Sequence, residues 1–176
     1  PRIYGQYWFD KPALFYWLIM AGYAVFGVGE TGARLPSALF GALTVCLAFW
    51  FARRSFGSVR AGVTAAVILG TSLEFWLLSR MIITDAVLMF FNSAALCFAW
   101  TGLGGDRRWL WAAYAAAGAA VLTKGPVGIV LPGLILLASV AVRRRWNLTY
   151  RLFDPVGLAI FAAVAAPWYA AMFLRH

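Results

Sequence analysis

Residues 109–142 have the sequence WLWAAYAAAGAAVLTKGPVGIVLPGLILLASVAV, in which Lys124 is the one charged residue. A helix rises about 1.5 Å per residue, so a membrane span needs about 17 to 25 mostly apolar residues. The stretch is therefore long enough for two spans. Because Pro126 disfavours helix at the residue before it, we expect a tight turn at Lys124, between a helix over 109–123 and another over 126–142.

The composition of the whole chain agrees with a membrane protein. Of its 176 residues, 64% are hydrophobic and only 12% are charged, whereas a soluble domain has about 25% charged residues. The aromatic content of 17% also excludes a disordered chain. The net charge of +9 lies in clusters between apolar runs, so we expect a bilayer as partner and no nucleic acid.

Six apolar stretches approach or meet the length of a membrane span, and we predict an all-α bundle of about six transmembrane helices: 36–51, 60–78, 86–101, 109–123, 126–142 and 155–174. Residues 1–35 form an outer loop in this prediction, and residues 36–176 form a single transmembrane domain. The chain begins at Pro1, inside a polar and aromatic stretch, and it ends just after an apolar run. We therefore expect it to be part of a longer protein.

The basic residues support this count, because nine of them fall in every second connection between the predicted spans: Arg53, Arg54, Arg60, Arg107, Arg108, Arg143, Arg144, Arg145 and Arg151. Lys and Arg concentrate in cytoplasmic loops. These connections are therefore predicted to be cytoplasmic, which places Arg80, Asp85 and Lys124 on the outer side. The stretch 14–28 fits either a further span or an aromatic-rich helix at the membrane surface, and composition does not choose between them.

The outer charges that topology leaves unexplained are the candidates for chemistry. Lys124 is the strongest, because a lone amine beside Gly125 suits an anionic phosphate, although it could also simply extend towards the headgroups. Asp85 could orient a ligand, cap the helix that follows, or form an ion pair with Arg80 that steadies the turn. Asp10 and Lys11 fit either a contact with a phosphate or a solvated pair before a helix.

A longer pattern connects these residues. The segment Tyr7–Leu18, YWFDKPALFYWL, resembles the first outer loop of bacterial membrane glycosyltransferases that use a polyprenyl-phosphate-linked sugar. This group includes the lipid A aminoarabinose transferase and relatives of the protein O-mannosyltransferases. Five further matches follow in order along the chain: Phe26-Gly27, Arg34–Leu39, Ser79-Arg80 with Thr84-Asp85, Leu122–Pro126 and Ala166–Tyr169.

The resemblance implies a fold and a location. The expected fold is the GT-C type, with residues 14–28 forming a juxtamembrane helix in the outer loop and with Asp10 and Lys11 facing outwards. The expected location is the bacterial inner membrane, with multiple spans and an extracytoplasmic active face.

The chain departs from the pattern of this family in two places. The family's Lys-Pro-Pro is Lys11-Pro12-Ala13 here, and the acid taken as its catalytic base lies upstream of residue 1, so we expect residues 1–176 alone to be inactive.

The resemblance also implies roles for the site residues. The protein is expected to move a sugar from the polyprenyl-phosphate donor to a lipid, glycan or protein acceptor. Lys11, Arg80 and Lys124 would bind the lipid phosphate, and Asp10 and Asp85 would act as catalytic groups that orient the acceptor or a divalent cation. The sugar or lipid chain would contact a set of aromatic residues: Trp8, Tyr16, Trp168 and Tyr169. No metal ligands are assigned, and the cofactor requirement is unknown.

Two other classes of protein also fit isolated charges among apolar helices. A transporter or lipid flippase would use Arg80, Asp85 and Lys124 to line a pathway. A membrane scaffold subunit would use none of them chemically, and it would tolerate neutral replacements of Asp85 and Lys124.

Overall fold

The computed structural model describes Arg2–Ile3, Gln6–Tyr7, residues 11–144, Trp146 and residues 149–175. In this part of the chain, strand β1 (Arg2–Ile3) pairs antiparallel with β2 (Gln6–Tyr7). All other regular structure is helical, and it comprises α1 (Leu14–Phe26), α2 (Glu30–Phe56), α3 (Val59–Gly70), α4 (Leu73–Leu78), α5 (Asp85–Leu103), α6 (Arg107–Lys124), α7 (Val127–Val142), α8 (Thr149–Leu152) and α9 (Pro155–Arg175). The predicted all-α class is confirmed, and the small strand pair is an addition to it.

The helices are apolar enough for a membrane. By length and composition, three described helical segments can cross one: Glu30–Phe56, Asp85–Leu103 and Tyr150–Leu174. The apolar helices α1, α3 and α7 are shorter. The count of six spans therefore stays a prediction.

Two predicted spans differ from the observed helices. The second, 60–78, is interrupted, since α3 ends at Gly70 and α4 begins at Leu73. At this break, the Thr71 hydroxyl donates to Val67 O at 2.7 Å, within its own preceding turn. The first, 36–51, is part of a longer helix, because α2 starts at Glu30 and contains Pro36.

Pro36 is tolerated inside α2 because of how α1 packs there. A proline at this position leaves the carbonyl of Gly32 without its helical donor. That carbonyl faces Gly22 of α1 so closely that a side chain at Gly22 would overlap with it. Thus α1 is packed directly on the first turns of α2, and the two helices form an antiparallel pair in which Phe15 also reaches Phe40.

Helix α5 lies at the centre of the bundle, in contact with α2, α6 and α7. Its interface with α6 is built from small side chains, which let helix backbones approach closely where no water is available to drive association. The buried residues of this cluster are Leu47, Ala94, Ala95, Ala116 and Ala117. The outer helix α9 packs on α6.

The arginine-bearing connections meet at one end of the bundle, as the alternation of charge predicts. There the Arg54 guanidinium lies 5.6 Å from the Trp109 ring centre, and Arg151 Nη1 donates to Leu103 O at 3.3 Å. We call this the basic end, formed by residues 53–60, 103–109, 143–144 and 149–155. The opposite end, formed by residues 71–85 and 123–127, is called the Asp85 end.

Candidate functional site

The Asp85 end brings together Asp85 and Lys124, two of the charged residues that the membrane topology leaves unexplained. Asp85 is the first residue of α5, and Lys124 is the last residue of α6. Lys124 Nζ forms an ion pair with Asp85 Oδ1, and the two side chains remain 37% and 44% exposed. Since α6 ends just before Gly125, whose φ of 76° favours glycine, the amine is held at the turn between α6 and α7.

The turn before α5 is fixed to α2 by two contacts. The fully buried hydroxyl of Ser37 donates to Ile83 O at 3.3 Å. Gly41, one helical turn further along α2, lies against Ser79, so that a Cβ at Gly41 would sit 2.7 Å from the Ser79 Cβ. These contacts join two of the segments in the ordered pattern, Arg34–Leu39 and Ser79–Asp85, and they position the start of α5.

Arg80 does not join the pair. Its guanidinium stacks 4.1 Å from the ring centre of Trp76 on α4, and Asp85 takes Lys124 as its partner. The alternative in which Arg80 and Asp85 form an ion pair across the turn is therefore not what the structure shows. The alternative in which the Asp85 side chain caps α5 is not seen either, because the N-cap residue is Thr84 and Asp85 lies inside the helix.

Tyr169 and Trp168 approach the site from α9. The Tyr169 hydroxyl donates to Val121 O at 3.4 Å, one turn before Lys124, and the two aromatic rings meet edge to face with centroids 4.8 Å apart. Tyr169 is 38% exposed. The structure thus places this aromatic pair beside the turn that carries Lys124.

The remaining predicted site residues belong to the loop before α1. Lys11 is exposed just ahead of α1, and Tyr16 is half-buried on that helix. Phe15, beside Tyr16, packs against Val87 of α5, which lies two residues after Asp85. Trp8 and Asp10 lie outside the described residues.

Two buried polar groups, one next to Asp85 and one about two turns further along α5, were not singled out as site residues. Among the described residues, Thr84 Oγ1 and Asn92 Oδ1 are the buried side-chain atoms without a hydrogen-bond partner. Leaving such an atom unpaired costs about 1–3 kcal/mol, and each one calls for an explanation. For Asn92, the available signal was an amide within an otherwise apolar run of α5. No three His, Cys, Asp or Glu side chains in the described part of the chain come together as a metal site.

Comparisons with known proteins identify the family of the chain. Residues 10–170 match the family described as dolichyl-phosphate-mannose-protein mannosyltransferase. An undecaprenyl phosphate-alpha-4-amino-4-deoxy-L-arabinose arabinosyl transferase from Pseudomonas aeruginosa strain UCBPP-PA14 is 33% identical over 100% of this chain and 33% of its own length. The corresponding enzyme from Edwardsiella ictaluri is 28% identical over 98% of this chain and 32% of its own length.

Solved structures are equally similar. ArnT from Cupriavidus metallidurans, in the apo state, has 34% sequence identity and a TM-score of 0.94, covering 99% of this chain and 34% of its own. The same protein bound to undecaprenyl phosphate also gives a TM-score of 0.94, over 33% of its length. The chain thus spans about a third of the length of the proteins that it matches.

Proposed function

Because this chain belongs to the dolichyl-phosphate-mannose-protein mannosyltransferase family, we propose that it forms the substrate-binding part of a membrane glycosyltransferase. The donor in this proposal is a sugar linked to a polyprenyl phosphate, and the acceptor is a lipid. The names of the relatives support the donor class, since they specify undecaprenyl phosphate. The family match favours this function over a transporter or flippase. The observation that carries the proposal is the half-exposed ion pair between Asp85 and Lys124.

The ion pair between Asp85 and Lys124 contributes more to positioning a reactive group than to the stability of the fold. An ion pair with this exposure contributes only about 0–1 kcal/mol to folding. Its more specific effect is to hold the Lys124 amine at one place on the Asp85 end. A Lys ammonium has three donors. One of them is used by Asp85 Oδ1, which leaves two to bind oxygens of a phosphate.

Charge stabilisation is the main requirement of the proposed reaction. When the sugar leaves its polyprenyl phosphate, negative charge develops on the phosphate, and a fixed cation lowers the free energy of that state. Lys124 supplies this cation, and the second carboxylate oxygen of Asp85 accepts a hydrogen bond from the acceptor hydroxyl. Lys11 is proposed as a second cation, because the packing of Phe15 on Val87 carries the start of α1 towards Asp85.

The surrounding residues take finer roles in the proposal. Asp10 assists Asp85 in orienting the acceptor, and Arg80, whose guanidinium stacks on Trp76, keeps its in-plane N–H donors for phosphate oxygens. The aromatic residues Trp8, Tyr16, Trp168 and Tyr169 border the sugar or the isoprenoid chain, and the position of Tyr169 beside Val121 supports this for the α9 pair. The Asp85 end faces the extracytoplasmic side, because the basic end carries the arginines that the positive-inside rule assigns to the cytoplasm.

Replacement of Lys124 by Ala in the complete protein tests this proposal. We expect transfer from a polyprenyl-phosphate-linked sugar, measured in membranes, to fall at least about 100-fold, the scale of losing one charge-stabilising group. Lys11→Ala should also lower the rate. The matched control is Arg60→Gln, which removes one exposed charge at the basic end. A Lys124→Ala enzyme with the wild-type rate would contradict the proposed role.

A further inference from the structure

A second charged region lies at the basic end, and the proposed transfer does not use it. A cavity of about 210 Å³ opens between the ends of α5 and α7, and its lining includes Trp100, Leu103, Leu136, Ser139 and Arg143. We propose that this cavity binds an anionic phospholipid of the leaflet that the basic end contacts. The phosphate would lie at Arg143, and an acyl chain would continue along Leu136.

One guanidinium lines the mouth of the cavity, and a second is bonded to the backbone of a lining residue. Arg143 stacks 4.3 Å from the ring centre of Trp100. A guanidinium held in this way keeps its N–H donors in the plane of the group, where they are free to bind phosphate oxygens in pairs. Arg151 Nη1 donates to the carbonyl of Leu103 at 3.3 Å, which places a second positive charge on the same wall. The Ser139 side chain adds a hydroxyl donor.

The two nearby acids have other hydrogen-bond partners than these arginines. Asp106 Oδ1 accepts from the backbone N–H of Arg108 at 3.0 Å. Asp154 Oδ2 accepts from Trp111 Nε1 at 2.9 Å and from the Gly157 N–H at 3.0 Å. Among the residues that the structure describes, no ion pair involves Arg143 or Arg151. Since arginines also outnumber the acids at this end, the site has a net positive charge, and its complement is an anion.

An apolar space adjoins the cavity, which favours a lipid over a small anion. A second cavity of about 240 Å³ shares Leu136 with the first, and its lining includes Ala99, Leu137, Leu152 and Phe153. Leu152 directly follows Arg151, and Ala99 directly precedes Trp100. A charged cavity beside an apolar groove matches a phosphate headgroup attached to an acyl chain. Basic pockets between helices are typical sites for such headgroups.

Native mass spectrometry of the complete protein can test this site. The protein is taken from nanodiscs of equal phosphatidylglycerol and phosphatidylcholine, and the retained lipids are counted. We expect wild type to retain phosphatidylglycerol preferentially, and Arg143→Gln to lower that retention about fivefold. Arg60→Gln is the matched control, because it removes the same charge from α3, away from the cavity. Ser139→Phe keeps every charge and fills the cavity, so it should also lower the retention.

Several results would overturn the proposal. Equal losses in Arg143→Gln and Arg60→Gln would show a general attraction of the basic end, and unchanged retention in Ser139→Phe would place the lipid elsewhere. Displacement of the lipid by excess inorganic phosphate would indicate a site for small anions. Absence of retained phosphatidylglycerol in wild type would mean that another part of the complete protein covers the groove.

Discussion

At the Asp85 end, one lysine and one aspartate meet across two helices; at the basic end, many arginines lie near two acids that are bonded elsewhere. The first arrangement fixes a single charge at a defined position. The second builds a positive surface in which no single arginine is decisive for orientation in the membrane. The comparison teaches that the number of charges at each end is a poor guide to function, and that the partner of each charge is a better one.

The largest effect should come from separating the pair. Asp85→Asn leaves the shape of the side chain nearly unchanged, but it removes the charge that holds Lys124. We expect transfer to fall about 100-fold. Groups that act as a unit give strongly non-additive effects. The double variant Asp85→Asn with Lys124→Gln should therefore be little worse than either single one, whereas multiplied losses would show that the two residues act independently.

The next effect concerns the packing that positions the pair. Gly41→Ala would place a methyl group against Ser79, and overpacking of this kind costs about 1–3 kcal/mol. We expect a lower midpoint of thermal unfolding in detergent, together with slower transfer. The control is Gly133→Ala in α7, where nothing lies within 4 Å of the added Cβ. An alanine there should be neutral or stabilising by up to about 1 kcal/mol. Equal behaviour of the two variants would refute the proposed fit between α2 and Ser79.

A smaller change in the rate of transfer should show whether the Thr84 hydroxyl binds a ligand. Thr84→Val removes the buried, unpartnered Oγ1 and keeps the shape of the side chain. Because no protein hydrogen bond is lost, we expect the unfolding midpoint to stay the same or to rise slightly. If the hydroxyl contacts substrate, transfer should fall about tenfold. An unchanged rate would remove Thr84 from the site.

The smallest effect should come from the basic end. Arg107→Gln combined with Arg108→Gln removes two charges that lie far along α6 from Lys124. We expect the rate of transfer to stay within about twofold of wild type, because several other arginines still mark the same end. A loss as large as that of Asp85→Asn would show that the two ends are not separate in function.

Much of the fold follows from apolar length and from the position of charge. The helix break at Gly125-Pro126 appears where the sequence predicts it, with α6 ending at Lys124 and α7 starting at Val127. The interruption between α3 and α4 was missed, because Thr71 and Ser72 lie within an apolar run and hydropathy does not detect a local side-chain to backbone bond. The start of α2 was also misplaced, since Pro36 is tolerated through a contact with another helix.

Less of the candidate site than of the fold can be predicted from the sequence. The sequence singles out Asp85 and Lys124, because each is a charge that topology leaves unexplained. It does not show that they are partners, since 39 residues separate them and Arg80 is the nearer cation along the chain. That choice depends on how α5 and α6 pack through their small residues. The sequence does not identify Thr84 and Asn92 as buried polar residues without a partner either, because that property depends on which atoms pack around them.

The contact between Gly22 and Gly32 has a mechanical consequence. Since α1 lies directly on the backbone of α2 beside Pro36, the two helices are expected to move as one body. Any large displacement of α1 then requires α2 to tilt in the bilayer with it, which is a slow motion. Access for a bulky donor would more easily come from the connection between α3 and α5, where short helical segments replace a continuous rod.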